Sequence, residues 1–150
     1  MTLQDAYNFF ENLKIETTIK SEIKVYGKFN YILSALKIRE FSKDEIQSIE
    51  TELESFNLKS NPENRKKYFK KALIKFEKYL KDTFSLTTAG YYTKLYGGLG
   101  LVFGLLFGVA ILSNLERSLG ISLGLIGGMV VGSIMGRKKE AEAKAAGTIL

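Results

Sequence analysis

The chain contains neither cysteine nor histidine. Lack of cysteine excludes disulfides, thiolate chemistry and the lipid-bearing cysteine of a bacterial lipobox. Without histidine as well, most zinc sites and the familiar nucleophile–base pairs lose their usual members. Charge is missing from one long stretch: Leu95 to Gly136 holds a single acid and a single base, Glu116 and Arg117, although 25% of the whole chain is charged. No ionisable residue falls in the middle of either apolar run of that stretch, which argues against a proton relay or an ion-coupled transporter. No catalytic constellation is visible and no cofactor or metal is implied, so the expectation is a protein that is not an enzyme. The start, Met1-Thr2-Leu3-Gln4-Asp5, has neither the basic region nor the apolar run of a signal peptide, and residues 1–94 are expected to stay in the cytoplasm.

The uncharged stretch consists of two apolar segments of about 19 residues, 95–113 and 118–136, separated by Asn114-Leu115-Glu116-Arg117. At about 1.5 Å per residue a helix of that length reaches ~28 Å, close to the ~30 Å hydrocarbon thickness of a bilayer. The pattern predicts a transmembrane helical hairpin. Lys75, Lys78, Lys81 and Lys94 precede it, Arg137, Lys138, Lys139 and Lys144 follow it, and the turn has Arg117 alone. By the distribution of basic residues both termini are expected on the cytoplasmic side of an inner (cytoplasmic) membrane.

Residues 1–94 carry 17 Lys/Arg and 13 Asp/Glu with apolar residues spread throughout, which suits a small helical domain whose core is marginal alone. Thr2 and Asp5 form a weak capping pair, and Leu3, Ala6, Phe9, Phe10 and Leu13 predict a helix over about 3–14. Ile19, Ile23, Tyr26, Phe29 or Asn30, Leu33 and Leu36 predict another over about 18–39, with a β-hairpin through Val25-Tyr26-Gly27-Lys28 as the competing local reading. Ser42 and Glu45 match a capping box that opens a third helix, with Ile46, Ile49, Leu53 and Phe56 as its apolar stripe. Asn61-Pro62 reads as the cap and first residue of a fourth helix over about 62–82, with Phe69, Leu73, Phe76 and Leu80 facing the core. The fold class is therefore all-α: a helical domain of about four helices over 1–84, a juxtamembrane joint over 85–94, the hairpin over 95–136, and a basic, alanine-rich tail over 137–150.

Residues 40–54 carry six acids and one base, and residues 59–81 nine bases and two acids. Such helices should attract if they pack antiparallel, although surface pairs contribute only ~0–1 kcal/mol each. Arg65, Lys66, Lys67, Lys70 and Lys71 are candidate contacts for anionic lipid, where each cation contributes ~1 kcal/mol. No recognised nucleic-acid motif surrounds them, so nucleic acid is not the expected partner. Tyr91, Tyr92 and Tyr96, with Lys94 on one arm and Arg137, Lys138 and Lys139 after the other, are candidates for the membrane interface; capping of the helical domain's core is the alternative for the tyrosines. The last three residues, Thr148-Ile149-Leu150, also fit a loose carboxyl-terminal peptide-ligand pattern.

Glycine recurs at every fourth position within the hairpin: Gly100, Gly104 and Gly108 in the first arm, and Gly120, Gly124, Gly128, Gly132 and Gly136 in the second. Each glycine is about 1 kcal/mol less favourable than alanine in a water-soluble helix, so five in register call for a packing reason. Steps of four residues make a slanted stripe without side chains, against which a second helix can approach closely; packing of the two arms within one hairpin, with partial self-association, is the expected use, with assembly into an oligomeric pore and the glycine background of membrane helices as alternatives. On these residues the chain resembles the glycine-zipper (tandem GxxxG) two-span bacterial membrane proteins, over about residues 97–136. The resemblance implies close helix packing and homo-oligomerisation. Two functions stay open: a membrane anchor and interaction module, whose helical domain binds itself or a cytoplasmic protein partner, and an oligomeric pore former of the toxin or defence type.

Overall fold

A computed structural model describes residues 1–60, 62–110 and 117–150, Arg117 by its backbone alone. Among them all regular structure is helical: α1 (Leu3–Glu16), α2 (Lys20–Ile38), α3 (Lys43–Ser55), α4 (Arg65–Phe84), α5 (Tyr91–Ala110) and α6 (Arg117–Ala145). The chain divides into two compact units, Met1–Leu86 together with Leu150, and Thr87–Ile149.

Local chemistry starts three of the helices of the first unit. Asp5 N–H donates to Thr2 Oγ1 at 3.0 Å and Thr2 N–H returns to the Asp5 carboxylate at 3.3 Å, a complete capping box. These bonds from Thr2 hold the Asp5 carboxyl below its ordinary range. Ser42 and Glu45 repeat the arrangement at α3, at 3.2 and 2.8 Å. At α4 the cap is Asn64, whose Oδ1 accepts from Lys67 N–H at 3.0 Å. The helix thus begins three residues later than the Asn61-Pro62 reading; Asn61 itself lies outside the described residues, and Pro62 precedes the helix. At its far end Ser85 adopts a left-handed conformation with φ 56°, and Leu86 N–H returns to Leu80 O at 3.1 Å, which turns Leu86 back into the core.

The core of this unit is aromatic. Phe10 of α1 stacks on Phe29 of α2 with ring centroids 4.1 Å apart, and Phe69 of α4 meets Phe10 and Tyr26 edge-on at 5.7 and 5.4 Å. All four rings are buried, together with Ile49, Leu53, Phe76 and Leu80, so the apolar stripes read for α1, α3 and α4 converge on one interior. α2 departs from its expected stripe. It runs unbroken through Gly27, which removes the hairpin alternative, but Ile19 is 54% exposed as the residue before the helix and Ile23 is only half-buried. Glu22 and Val25 take the interior positions instead. Glu22 tolerates burial because its carboxylate accepts from Thr17 Oγ1 at 2.9 Å and from Tyr26 Oη at 3.4 Å.

The acids of α3 find partners at the start of α1: Leu3 N–H donates to Glu50 at 3.0 Å and the Met1 amine pairs with Glu54. Side-chain bonds link α3 to α4 instead, Ser48 with Tyr79 at 2.6 Å and Tyr68 Oη onto Phe56 O at 2.6 Å.

In the second unit α5 and α6 pack antiparallel along most of their described lengths. The expected end of the first span, 111–113, and the turn residues Asn114, Leu115 and Glu116 lie outside the described residues. α5 begins at Tyr91, within the stretch expected to be a joint, and α6 continues beyond Gly136 to Ala145 before Gly147, with φ +70°, breaks it. Thr87 N–H then donates to Thr148 O at 2.9 Å, and Thr87 and Ile149 form an isolated bridge. Leu150, grouped with the first unit, is buried and its carbonyl accepts from Tyr31 Oη at 2.6 Å. The last residues are thus engaged within the chain rather than presented as a free peptide ligand.

Candidate functional site

The contact between α5 and α6 is backbone against backbone. A Cβ built on Gly128 would stand 2.7 Å from Gly104 Cα, one on Gly124 2.8 Å from Gly108 Cα, and one on Gly132 3.0 Å from Gly100 Cα, with carbonyl oxygens of the facing helix nearer still. A Cβ on Gly108 would stand 2.5 Å from Gly120 O. No side chain fits at these distances, so the stripe expected from the sequence is a seam between the two arms of one chain. Close approach of this kind lets dispersion and weak Cα–H···O contacts act where no hydrophobic drive exists between helices in lipid.

The seam also shows why α6 carries five of these glycines and α5 only three. Continued one turn at a time from Gly100, the α5 stripe reaches Tyr96 and then Tyr92 and Thr93. There the backbone faces α6: a Cβ on Gly136 would stand 2.7 Å from Thr93 Cα, and one on Gly132 would meet the Tyr96 carbonyl. At this end glycine stands on the α6 side alone, against the backbone of residues that carry side chains. Gly98 and Gly127 lie outside the seam, with nothing within 4 Å of a built Cβ. Beside the seam runs an apolar groove of about 890 Å³ lined among others by Phe103, Phe107, Leu123 and Val131.

The outer surfaces of both helices are apolar, with Phe103 66%, Ile126 63% and Ile134 63% exposed. Both helices are long and apolar enough to cross a membrane, and only 11% and 22% of their apolar windows are buried, unlike the core helices of a soluble protein. The hydroxyl of Ser122 donates to Ser118 O at 2.9 Å, within its own helix.

The antiparallel register gathers the candidate interface residues at one end of the hairpin. Tyr91 and Tyr92, their rings edge-on at 5.2 Å, start α5 next to the point where α6 passes Gly136 and exposes Arg137, Lys138 and Lys139. Lys94 is exposed and Tyr96 half-buried on the next turn of α5. Lys139 pairs with Glu142 at 2.7 Å. The same end holds a residue that the sequence did not single out: Glu140 accepts from the backbone N–H groups of Gly90 and, at 3.1 Å, Tyr92. One carboxylate of α6 therefore caps the first turn of α5, where orphan N–H groups and the helix dipole favour negative charge.

The basic residues of α4 do not act as one group. Arg65 is half-buried on the side of the helix near Tyr26, apart from the others. Lys66, Lys67, Lys70 and Lys71 are exposed, and Lys75 and Lys78 extend the row, none of these six in an ion pair among the described residues. Phe69, Leu73, Phe76 and Leu80 fix the buried face, so the opposite face was readable as their complement.

Within the first unit, burial, aided by the Glu22 carboxylate, pushes the Tyr26 phenol up to about 12. Among the described residues no group of three or more acids is placed to hold a metal ion. Comparison with protein-family models, with curated proteins and with solved structures finds no match to this chain.

Proposed function

We propose that the chain is a non-enzymatic integral membrane anchor and interaction module. α5 and α6 cross an inner (cytoplasmic) membrane as a glycine-zipper hairpin, both termini are cytoplasmic, and the domain of α1–α4 binds itself or a cytoplasmic protein partner. The observation that carries this reading is the seam: two helices with apolar outer surfaces meet through Gly100, Gly104 and Gly108 against Gly120, Gly124, Gly128, Gly132 and Gly136. Polar backbone is satisfied within each helix and side chains face outward, the arrangement that lipid demands. The seam also supports an anchor over a pore. A pore assembled through the glycine stripe needs that stripe between copies, and within one chain it is already occupied.

Topology and activity test the proposal together. Because the chain has no cysteine, single substitutions Lys59→Cys, Glu116→Cys and Lys144→Cys report on accessibility directly, Lys59 and Lys144 being exposed. Labelling of Lys59→Cys and Lys144→Cys from the cytoplasmic side, protection of Glu116→Cys from that side, and resistance of the protein to carbonate extraction are expected. Cytoplasmic labelling of Glu116→Cys would refute the orientation. Purified protein that releases dye from liposomes, and loses this activity with Gly124→Leu and Gly128→Leu, would replace the anchor with the pore.

A further inference from the structure

The outer face of α4 sets an apolar side chain among a row of cations. Lys67, Lys70, Lys71, Lys75 and Lys78 are all exposed, and among them, on the same side of the helix, stands Ile74, 56% exposed. At about 100° per residue these positions fall on one side of the helix, opposite Phe69, Phe76 and Leu80. The five cations are lysines throughout, compact point charges on long apolar stems, rather than the planar forks that pair bidentately with one phosphate. An isoleucine in the middle adds nothing to a phosphate contact in water, but it matches the boundary where headgroup gives way to acyl chain.

Chain connectivity favours the same partner. Six residues, Ser85 to Gly90, separate the end of α4 from the start of α5, a reach of at most ~20 Å when extended. A helix tethered that closely to a membrane span meets the headgroups at high effective concentration. We infer that the Lys67–Lys78 face of α4 is a contact for anionic phospholipid, with the lysines at the headgroups and Ile74 entering the interface between them. This inference rests on the membrane-anchor reading.

The test uses the full chain. Ile74→Trp places the only tryptophan in the protein, at a position already exposed. The variant is reconstituted into vesicles of phosphatidylcholine alone or mixed with phosphatidylglycerol. In the anionic vesicles the emission is expected to move to shorter wavelength and to be quenched by lipids brominated on their acyl chains. Both effects should be lost when Lys70, Lys71, Lys75 and Lys78 are replaced by Gln, and in about 1 M salt, where the screening length falls to ~3 Å. Emission and quenching that are the same in both lipid mixtures overturn the inference, as does a shift produced by an added oligonucleotide and not by lipid composition. Protein that carbonate strips from the vesicles sinks the anchor reading itself, whereas retained protein with composition-blind emission sinks only the α4 contact.

Discussion

Glu140 of α6 accepts the backbone N–H of Tyr92 at 3.1 Å, a bond between residues 48 apart in sequence that joins the two arms at the end where the basic residues gather. The same carboxylate accepts from Gly90. Removing it leaves two amide donors at the start of α5 without this partner. Loss of a cap costs about 0.5–2 kcal/mol. Glu140→Ala is expected to destabilise the hairpin by about 1 kcal/mol in detergent unfolding, with faster hydrogen exchange at the Tyr91–Lys94 amides and no change at the far end. Glu140→Gln keeps an acceptor without the charge and should fall between the two.

The seam predicts a sharp contrast among glycines. A Cβ on Gly128 has Gly104 Cα at 2.7 Å, whereas a Cβ on Gly127, one residue earlier, meets nothing within 4 Å. Backbone cannot yield as a flexible side chain does, so Gly128→Ala must push the helices apart, at a cost of about 1–3 kcal/mol typical of overpacking. Gly127→Ala should be neutral or slightly stabilising through helix propensity, by at most ~1 kcal/mol. The check is resistance to unfolding in a detergent titration. Equal effects at the two positions would mean that the arms do not meet through this stripe.

What the sequence revealed is what short-range chemistry controls. The Thr2/Asp5 and Ser42/Glu45 boxes close over three residues, and the Phe69, Leu73, Phe76, Leu80 stripe follows from helical period alone, so both were legible. The glycine register was legible too, as was its packing against the other arm of the hairpin; the contacts of Gly132 and Gly136 with Tyr96 and Thr93 were not, because the facing surface there is backbone and leaves no residue-type signature. Glu22 was absent from the expected stripe of α2 for a related reason. A carboxylate is read as exposed until Thr17 and Tyr26 supply donors, and those are brought to it only by the fold. The start of α4 was missed because Asn61-Pro62 is a better local signal than Asn64, although it is Asn64 that reaches the Lys67 amide. Glu140 had no local signal at all.

The aromatic core sets the stability of the first unit. Phe10 is completely buried and stacks on Phe29 at 4.1 Å, while Phe69 meets its edge. Truncation of a buried Phe to Ala costs about 3–5 kcal/mol, against a total of ~4–13 kcal/mol for a domain of this size at 0.05–0.15 kcal/mol per residue. Phe10→Ala should therefore leave the unit largely unfolded or with a much lower denaturant midpoint. Phe10→Leu, which fills most of the volume but loses the stack, should cost less. The readout is far-ultraviolet circular dichroism in denaturant. A midpoint for Phe10→Ala within error of the parent would show that α1 is not packed on α2 as described.

Tyr26 gives the first unit a limit at alkaline pH. Its phenol is pushed up to about 12 in the folded chain by burial and by the Glu22 carboxylate, from the ordinary 10.0. Above pH 10 the unfolded chain loses this proton while the folded chain keeps it, so the unfolded state binds fewer protons and stability falls as pH rises. The loss is absent below pH 10, grows by up to ~1.4 kcal/mol per pH unit between 10 and 12, and levels off above 12. Tyr26→Phe removes this titration. It also removes the 3.4 Å hydrogen bond to Glu22, which leaves Thr17 as the donor to that carboxylate and costs about 1 kcal/mol at neutral pH. The two curves of unfolding free energy against pH should therefore approach and cross between pH 10 and 12, the parent falling more steeply and ending below the variant. Parallel curves across that range would mean that the phenol titrates alike in both states and that its hydroxyl is not held in the core.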